Sequence, residues 1–471
     1  MRSAGAAAQP GRAEPLGAAG GGVAGGIGGS PVRLGDGGES LTMLERIHVR
    51  GFKSLREATV DLAPLVVLFG PNAAGKSNLP EALLLLSRLV GERTLNEAYA
   101  PTGIRGNPLE AFSLPSGGIE ELLHSPMPAL RLDAEMSLAP LEGSKRRPDL
   151  LSYQVEVGIQ PQTGQLSVQD EKLELLTANR KPRCCSVEKT TRARETGSSE
   201  VISIRRKGSP SHPFEEEVGL PHTVVSNRQY SGAERYPLFD FLHREIGAWR
   251  ILYLDPMVAM RQPVPPRDVQ DIGSRGEWLV PYLHRLIHQQ PQAFAAVRRV
   301  IAMAIPSITD LQTELNEKRG ELELTIQMDG IWLPSRVVSE GTLRLLALCA
   351  MAANPFQKGL VAFEEPENGV HPRRIEVVTH LLVRTSRSQQ VIVTTHSPQV
   401  VVDIVRMIQD GELAAKHVRL IRCGTSSEGS TYQTFDPTGP IFDSSDINDG
   451  LSASDDARVL QAMTMGGWLD G

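Results

Sequence analysis

The chain has 471 residues and a formal net charge of -6; 40% of its residues are hydrophobic and 22% are charged. These proportions are typical of a globular chain with two or three domains. No apolar run reaches the roughly 18 residues that a membrane-spanning helix needs, so we expect no membrane partner. The negative charge argues against nucleic-acid binding over the whole surface. The cysteines show no metal-ligand spacing, which favours a reducing, cytoplasmic location; they are Cys184, Cys185, Cys349 and Cys423.

The first segment, residues 1–42, contains 13 of the 44 glycines and almost no large apolar side chains. Such a segment buries too little surface to offset the entropy lost on ordering, so we predict that it is disordered and dispensable for nucleotide binding. Structured sequence begins at Met43, which we expect to be the true start of translation. The alternation that follows predicts two strands, and the apolar run PLVVLFG predicts a central strand followed by a helix.

The rest of the chain divides by pattern. Residues 43–125 and 331–425 alternate strand and helix, as in a parallel sheet covered by helices. Between them, residues 126–330 predict a lobe of antiparallel strands and helices, in which SYQVEVGIQ and QLSVQDEKLELLT flank the turn PQTG. Residues 426–471 form a C-terminal tail. We therefore predict an α/β P-loop core, a mixed sheet flanked by helices, interrupted by an inserted and mostly antiparallel β lobe.

A phosphate-binding loop is the strongest motif. The segment GPNAAGKS fits GxxxxGK[ST] and lies between an apolar strand and a helical pattern. In this motif backbone N–H groups surround the phosphates, the lysine reaches the β- and γ-phosphates, and the hydroxyl binds Mg²⁺. The start of the helix adds partial positive charge. The alternative is a glycine-rich surface turn. The residues expected to bind the nucleotide are Gly70, Pro71, Asn72, Ala73, Ala74, Gly75, Lys76, Ser77 and Asn78.

One residue conflicts with the helix expected after this loop. Pro80 falls inside the predicted helix, where a proline removes a backbone hydrogen bond and costs about 3 kcal/mol. We therefore expect a kink just beyond the phosphates. Replacing Pro80 with leucine should then raise thermal stability without harming ATP binding.

Two adjacent carboxylates, Glu364 and Glu365, end the buried strand pattern GLVAF. An unpartnered buried charge is costly, so a cation is expected close to them. Beside a magnesium nucleotide, Glu364 would support the metal and Glu365 would polarise the attacking water. The alternative reading of two neighbouring glutamates is a solvated turn.

Two further segments follow in an order that matters. Ser339, Glu340 and Gly341 precede an apolar helical pattern; Ser339 can cap that helix, and the free N–H groups could face an anion. Simple capping is the alternative. His396 comes directly after another buried strand, where a histidine is often structural.

The order of these motifs resembles that of soluble ABC-type ATPases. The motif sequences themselves resemble those of the predicted AAA-family ATPases of ABC type found widely in bacteria. The segments that carry this resemblance are GFKSL, LFGPNAAGKSN, SEGTLRLLAL, EEPENGVHP and TTHSP. The similarity extends through AWRILYLDPMVAMR to GGWLDG at the end of the chain. More distantly, the chain is similar to chromosome-maintenance and recombination-repair ATPases and to the ATPase half of overcoming-lysogenization-defect nucleases.

This resemblance implies a P-loop NTPase fold of the ABC-ATPase type and roles for the motif residues. Lys76 and Ser77 would hold the phosphates of ATP and Mg²⁺, with Glu364 supporting the metal. Glu365 would be the general base, and His396 would sense the γ-phosphate.

It also implies a homodimer. Ser339 and Gly341 would contact the γ-phosphate of the ATP bound by a second copy of the chain, so that two chains enclose two nucleotides.

The sequence departs from the pattern of ABC proteins in three places. Glu364 replaces the more usual aspartate, and His371 stands where many ABC proteins carry an aspartate. The glutamine that usually couples the nucleotide to the lobe has no clear counterpart.

Two roles remain open for such an ATPase. One is DNA repair, DNA maintenance or phage defence with direct DNA contact. The other is a nucleotide-switched scaffold that recruits a separate effector such as a nuclease. Residues 145–207 carry 13 Lys and Arg against 8 Asp and Glu, which is compatible with a contact to a phosphate backbone or with a solvated charged face.

Overall fold

The computed structural model describes residues 42–100, 104–138, 149–194, 197–207, 209–355 and 359–435. The predicted disordered segment lies outside these residues except for Thr42, as do the last residues of the predicted tail from 436 onward. Within the described part of the chain, no helix is long and apolar enough to cross a membrane.

The strands in the described residues are β1 (Met43–Phe52), β2 (Leu55–Asp61), β3 (Leu65–Phe69), β4 (Ala129–Ser137), β5 (Leu150–Gln160), β6 (Gln165–Leu176), β7 (Pro182–Arg194), β8 (Gly197–Arg206), β9 (Ser209–Glu217), β10 (Arg250–Leu252), β11 (Ile308–Asn316), β12 (Glu321–Met328), β13 (Ile331–Pro334), β14 (Leu360–Glu364), β15 (Gln390–Thr395), β16 (Val418–Ser426) and β17 (Gly429–Phe435). The α-helices are α1 (Asn78–Gly91), α2 (Leu95–Ala98), α3 (Gly118–His124), α4 (Pro237–Glu245), α5 (Leu279–Gln289), α6 (Pro291–Ala304), α7 (Glu340–Ala352), α8 (Ile375–Thr385) and α9 (Pro398–Gln409).

The six-stranded sheet among the described residues carries the predicted motifs. Its order is β10-β14-β15-β3-β16-β17, and all neighbouring pairs are parallel except β16 with β17. All residues of β3 and β15 are buried, as expected for strands covered by helices on both faces. The prediction that PLVVLFG forms a central strand is confirmed. The carboxyl ends of β3, β14 and β15 therefore lie side by side at one edge of the sheet.

A second, eight-stranded sheet in the described residues is antiparallel throughout, in the order β2-β1-β4-β5-β6-β7-β8-β9. The predicted hairpin at PQTG is confirmed: β5 and β6 flank it, and Gly164 N donates to Gln160 O at 2.8 Å. This sheet crosses the predicted boundary at residue 126, because β1 pairs with β4. The inserted lobe thus extends a sheet that the first two strands of the chain begin.

The helices predicted within residues 126–330 include the consecutive pair α5 and α6. Pro291 begins α6, and the preceding Gln290 has a non-helical backbone (φ -140°, ψ 61°) that separates α6 from α5. These helices pack with the three-stranded sheet β11-β12-β13 and with α7 in one hydrophobic core. This core crosses the predicted boundary at residue 330, and β17 continues the six-stranded sheet past residue 425. Chain segments that the pattern separates therefore share cores and sheets.

The kink predicted at Pro80 is absent, and that expectation was wrong. The helix α1 begins at Asn78 and runs continuously to Gly91, so Pro80 is its third residue. The first intrahelical bond in this turn comes from Glu81 N to Ser77 O at 3.1 Å. An N–H at position 80 would have no intrahelical partner, so the proline costs no helix hydrogen bond. This removes the reason for expecting a more stable leucine variant.

Candidate functional site

The predicted phosphate loop connects β3 to α1 and is shaped by backbone conformations that favour glycine. Gly70 and Gly75 have φ of +143° and +86°. A Cβ at Gly70 would clash with the carbonyl oxygen of Cys423, and one at Gly75 would clash with the side chain of Ser430. Both positions therefore require glycine, because β16 and β17 press directly against the loop.

The side chain of Lys76 closes back over its own loop. Its Nζ donates to Gly70 O at 2.8 Å and to Pro71 O at 2.7 Å. The side chain is 6% exposed. Burial lowers the pKa of Lys76, although nearby groups, including Glu364 and Glu365, oppose the shift. The ammonium is thus held close to the loop carbonyls and near the predicted carboxylates.

The carboxylate of Glu364 lies where β14 meets the phosphate loop. Ser77 Oγ donates to Glu364 Oε1. Arg105 Nη2 contacts both carboxylate oxygens of Glu364, at 2.6 and 2.7 Å. Burial lowers the pKa of Arg105, but the hydrogen bond to Glu364 and the attraction of Glu364 and other nearby acidic groups together outweigh this effect, so the net shift is upward. The cation expected beside the carboxylates is therefore present, and it is an arginine that sequence reasoning missed.

A buried carboxylate, Glu81 on α1, belongs to the same ion-pair network as Arg105 and Glu364. It is 1% exposed and forms ion pairs with Lys53 Nζ and with Arg105 Nε, the latter at 3.3 Å. Burial raises the pKa of Glu81, against the effect of its two cationic partners. Arg105 thus bridges Glu81 and Glu364. The sequence held a weak signal for this arrangement, since Lys53 belongs to the GFKSL segment.

Glu365 and His396 form a direct contact, with Glu365 Oε1 2.6 Å from His396 Nε2. The contact follows from strand register: β14 and β15 are parallel neighbours with Glu364 opposite Thr394, so the residues after each strand meet. Glu365 has φ +46°, an unusual value for a residue with a side chain, and its N donates to Thr394 O at 3.0 Å. His396 therefore lies in the cavity with the acidic pair rather than in a separate structural position.

These groups line one cavity of about 280 Å³. It brings together a lysine and an arginine, a hydroxyl beside a carboxylate, and a carboxylate beside an imidazole. Such a set can accommodate a polyphosphate, oxygen-bound Mg²⁺ and an activated water. The lining residues are Asn72, Ala73, Gly75, Lys76, Ser77, Asn78, Arg105, Glu364, Glu365 and His396. Gly70, Pro71 and Ala74 belong to the loop behind this lining.

The predicted signature segment, Ser339 to Gly341, lies outside this cavity. Ser339 caps α7, accepting a hydrogen bond from Thr342 N at 3.3 Å, so the predicted capping is confirmed. Neither Ser339 nor Gly341 lines the cavity of the same chain. Ser339 is exposed, while a Cβ at Gly341 would clash with the carbonyl oxygen of Gly369. The segment therefore packs on the loop after the acidic strand and presents its serine to solvent.

A second missed feature is a polar network that joins β17 to the phosphate loop. Tyr432 Oη donates to Gly75 O at 2.7 Å. Ser54 Oγ lies 2.6 Å from Ser430 Oγ and accepts from Asn78 Nδ2 at 2.6 Å. The strand β17 thus supports the loop from behind, although its residues belong to the predicted tail.

The basic residues between 145 and 207 are extensively paired with carboxylates in the described part of the chain. These ion pairs favour the reading of this segment as a solvated charged face. The pairs are Lys172–Glu174, Arg180–Glu135, Arg183–Asp149, Lys189–Glu200, Arg192–Glu215 and Arg205–Glu188.

Residues 248–403 match the protein-family model described as "AAA domain, putative AbiEii toxin, Type IV TA system". This region contains the signature segment, the acidic strand end and His396. A curated relative, the DNA replication and repair protein RecF of Crocosphaera subtropica, is 48% identical over 52 residues. That stretch covers 11% of this chain and 14% of the relative, so the similarity spans about one seventh of that protein.

Two solved structures of SMC heads are similar at low identity. An SMC head bound to the C-winged helix domain of ScpA has 13% identity and a TM-score of 0.48, covering 83% of this chain and 98% of that one. An SMC head with an extended coiled coil, derived from Pyrococcus furiosus, has 11% identity and a TM-score of 0.45, covering 89% and 100%. The family match and the motif-bearing α/β sheet confirm the predicted resemblance: this chain is similar to AAA-family ATPases of ABC type and has the corresponding P-loop fold.

Proposed function

We propose that this chain binds ATP with Mg²⁺ and hydrolyses it to ADP and phosphate. The single observation that carries the proposal is the convergence, in one cavity, of the phosphate loop, the Ser77–Glu364 contact and the Glu365–His396 pair. The three parts come from the ends of neighbouring parallel strands, where open α/β sheets bind their ligands.

The phosphate loop would hold the triphosphate. Its backbone N–H groups and the start of α1 supply positive dipoles, and Lys76 supplies a flexible cation. In the structure Lys76 Nζ donates to the carbonyl oxygens of Gly70 and Pro71. Phosphate oxygens would replace those carbonyls as acceptors, which keeps the ammonium paired throughout.

Ser77 and Glu364 fit a magnesium site, because a hydroxyl and a carboxylate already share one hydrogen bond and Mg²⁺ prefers oxygen ligands. When bound, Mg²⁺ would neutralise charge developing on the β- and γ-phosphates. Arg105 now contacts the carboxylate that would hold the metal, so it would have to move off Glu364 as the metal enters.

Glu365 is the proposed general base. Its carboxylate lies in the cavity beside His396, and it would accept a proton from the water that attacks the γ-phosphate. His396 would orient that carboxylate and contact the γ-phosphate.

A homodimer would complete the site. Ser339 is exposed at the start of α7, away from the cavity of its own chain. Its hydroxyl and the free N–H groups of the helix could reach a γ-phosphate held by a second copy of the chain. This arrangement accounts for a capped helix start that faces solvent.

The biological role proposed first is DNA maintenance, repair or phage defence in the cytoplasm. The similarity to a protein named for DNA replication and repair supports it over a short stretch. The alternative is a nucleotide-switched scaffold for a separate effector such as a nuclease. The pairing of basic residues between 145 and 207 favours this alternative, since it leaves less unpaired positive charge for a DNA backbone.

One assay tests both levels of the proposal. Phosphate release from ATP is measured with Mg²⁺, alone and with single-stranded, duplex or nicked DNA. Mg²⁺-dependent phosphate release that is lost in Lys76→Ala would support the ATPase. A wild-type protein that binds nucleotide but releases no phosphate would refute hydrolysis. Stimulation by DNA supports the DNA-linked role; no stimulation, with a nuclease copurifying, supports the scaffold.

A further inference from the structure

We propose that Glu367 is a positioning residue that sets Glu365 against His396. This inference rests on the proposed function, in which Glu365 is the general base. Glu367 does not line the cavity, so it would act through its neighbours and not on the nucleotide.

The first step is the link from Glu367 to the end of β15. Glu367 Oε1 accepts a hydrogen bond from Thr395 Oγ1 at 2.5 Å, with both side chains buried. The same threonine oxygen accepts from Ser397 N at 2.9 Å. Thr395 and Ser397 flank His396 in the chain. One hydroxyl therefore fixes the backbone on both sides of the imidazole, and Glu367 fixes that hydroxyl.

The second step is the link from Glu367 to the turn that carries Glu365. Asn368 N donates to Glu365 O at 3.0 Å, and Val370 N donates to Glu367 O at 2.9 Å. Glu365 itself has φ +46°, a conformation that a residue with a side chain keeps only when its surroundings hold it. The Glu367 carboxyl joins this turn to Thr395 and thereby helps to hold Glu365 in place.

The third observation is that a carboxyl group occupies this buried position. Glu367 is 8% exposed, and its Oε2 has no hydrogen-bond partner among the described residues. A half-satisfied buried acid is expensive, so structure alone would favour a smaller or apolar residue. Buried polar groups that break this rule concentrate at functional sites. The burial of this group directly behind the Glu365–His396 pair supports a role in positioning that pair.

Burial also raises the pKa of Glu367, against its hydrogen bond from Thr395, and the neighbouring Glu365 acts in the same direction as burial. The carboxyl of Glu367 is therefore easier to protonate than an exposed glutamate.

Steady-state ATP hydrolysis by the full chain tests the proposal. Glu367→Ala should lower kcat about 10- to 100-fold, the usual cost of losing a group that orients a functional side chain. The KM for ATP should change less than about 3-fold, since the phosphate loop is untouched. Glu367→Gln should recover most of kcat, because its amide oxygen can accept from Thr395. As a matched control, Glu171→Gln changes another buried glutamate, which lies on β6 and does not line the cavity, and should leave kcat within 2-fold.

Thr395→Val covers the case in which Glu367→Ala does not fold. It removes the same hydrogen bond from the other side, together with the acceptor of Ser397 N, with a side chain of equal shape. It should lower kcat to a similar extent, and the double variant should be no worse than the poorer single variant. Wild-type kcat in either Glu367→Ala or Thr395→Val would overturn the positioning role.

A spectroscopic readout separates this inference from the proposed function. In protein labelled with ¹³C-histidine, the His396 ring signal is assigned by its loss in His396→Asn. Glu367→Ala should shift that signal in the nucleotide-free protein, while Glu171→Gln should not. A wild type that hydrolyses no ATP would refute the proposed function, yet this signal would still report on the contact. An unchanged His396 signal in a folded Glu367→Ala protein would refute the inference alone.

Discussion

Arg105 Nη2 lies 2.6 and 2.7 Å from the two carboxylate oxygens of Glu364, so a guanidinium contacts the group proposed to hold Mg²⁺. The same arginine is 60% exposed and also pairs with the buried Glu81. It can therefore swing away without leaving Glu364 uncompensated once a metal ion arrives. On the proposed function, Arg105 and Mg²⁺ would compete for one carboxylate.

This competition predicts the behaviour of Arg105→Gln. The variant should need a Mg²⁺ concentration about 3- to 10-fold lower for half-maximal binding of a fluorescent ATP analogue. Charge-assisted hydrogen bonds are worth roughly 1.5–3 kcal/mol, and only part of that energy would be gained by Mg²⁺ binding when the arginine is removed. A magnesium titration at fixed nucleotide measures it. Arg183→Gln, which breaks the pair with Asp149, is the control. A higher magnesium requirement would show that Arg105 helps to bind the nucleotide instead.

Lys76→Ala should abolish nucleotide binding or turnover. The other cation in the cavity, Arg105, is already engaged with Glu364, and a planar guanidinium on a different segment cannot replace a flexible ammonium in the loop. Equilibrium binding and phosphate release are the measurements. Lys181→Ala, an exposed change on the β lobe, should behave as the wild type. Turnover at the wild-type rate in Lys76→Ala would place catalysis outside this loop.

Tyr432→Phe should weaken ATP binding about 2- to 10-fold, because it removes the hydrogen bond from Tyr432 Oη to Gly75 O, worth roughly 0.5–1.5 kcal/mol. Tyr282→Phe is a matched control, since Tyr282 Oη is buried and has no hydrogen-bond partner among the described residues. Calorimetric titration with ATP compares the two. Equal affinities would mean that β17 does not support the loop.

Stability should depend on pH through Glu171, a fully buried carboxylate on β6. Its oxygens accept from Val224 N at 2.5 Å, Val225 N at 3.1 Å and Tyr153 Oη at 3.0 Å. Burial raises the pKa of Glu171 to about 7 despite these bonds. A raised carboxyl pKa means that the folded state binds more protons than the unfolded state, so stability falls as pH rises towards 7 and the loss is complete above it.

The expected loss from this group is about 3.5 kcal/mol at most, since each pH unit between the unfolded and folded pKa is worth about 1.4 kcal/mol. Urea unfolding of wild type and Glu171→Gln at a series of pH values isolates it. The difference in unfolding free energy should change between pH 4.5 and about 7, where Glu171 titrates. A difference that stays constant over this range would show that Glu171 does not titrate there.

Local sequence was enough to predict the parts of the site that lie within single motifs. The Gly70–Ser77 loop, the cap at Ser339 and the central strand before the loop depend on residue types at short spacing. These parts need no knowledge of distant partners. His396 joined the set through the motif order and the resemblance to ABC-type ATPases; the structure adds the physical reason, because the residues that follow the parallel neighbours β14 and β15 meet at one edge of the sheet.

The missed features join residues far apart in the chain. Tyr432 and Gly75 are 357 positions apart, and Arg105 and Glu364 are 259 apart. No periodicity connects such pairs, because tertiary packing alone brings them together. Likewise, the pairing of β1 with β4, which makes the eight-stranded sheet continuous, could not be predicted from local patterns. The kink at Pro80 was predicted because the helix was expected to start earlier; a start two residues later places Pro80 in the first turn.

The last prediction concerns Glu365→Gln. The amide keeps the size of the side chain but cannot accept a proton from water, and removal of a general base typically costs about 10²- to 10⁴-fold. The variant should bind ATP, hydrolyse it very slowly and accumulate as the ATP-bound dimer.

Ser339 should matter only in that dimer, because it faces solvent and does not line the cavity of its own chain. Adding Ser339→Arg to Glu365→Gln should therefore leave nucleotide affinity of the monomer intact and prevent dimerisation. Light scattering with ATP and Mg²⁺ measures the mass of each variant, and the same proteins without nucleotide serve as controls. If Glu365→Gln stays monomeric with ATP bound, the two-chain site is refuted, and hydrolysis must be completed by groups of one chain.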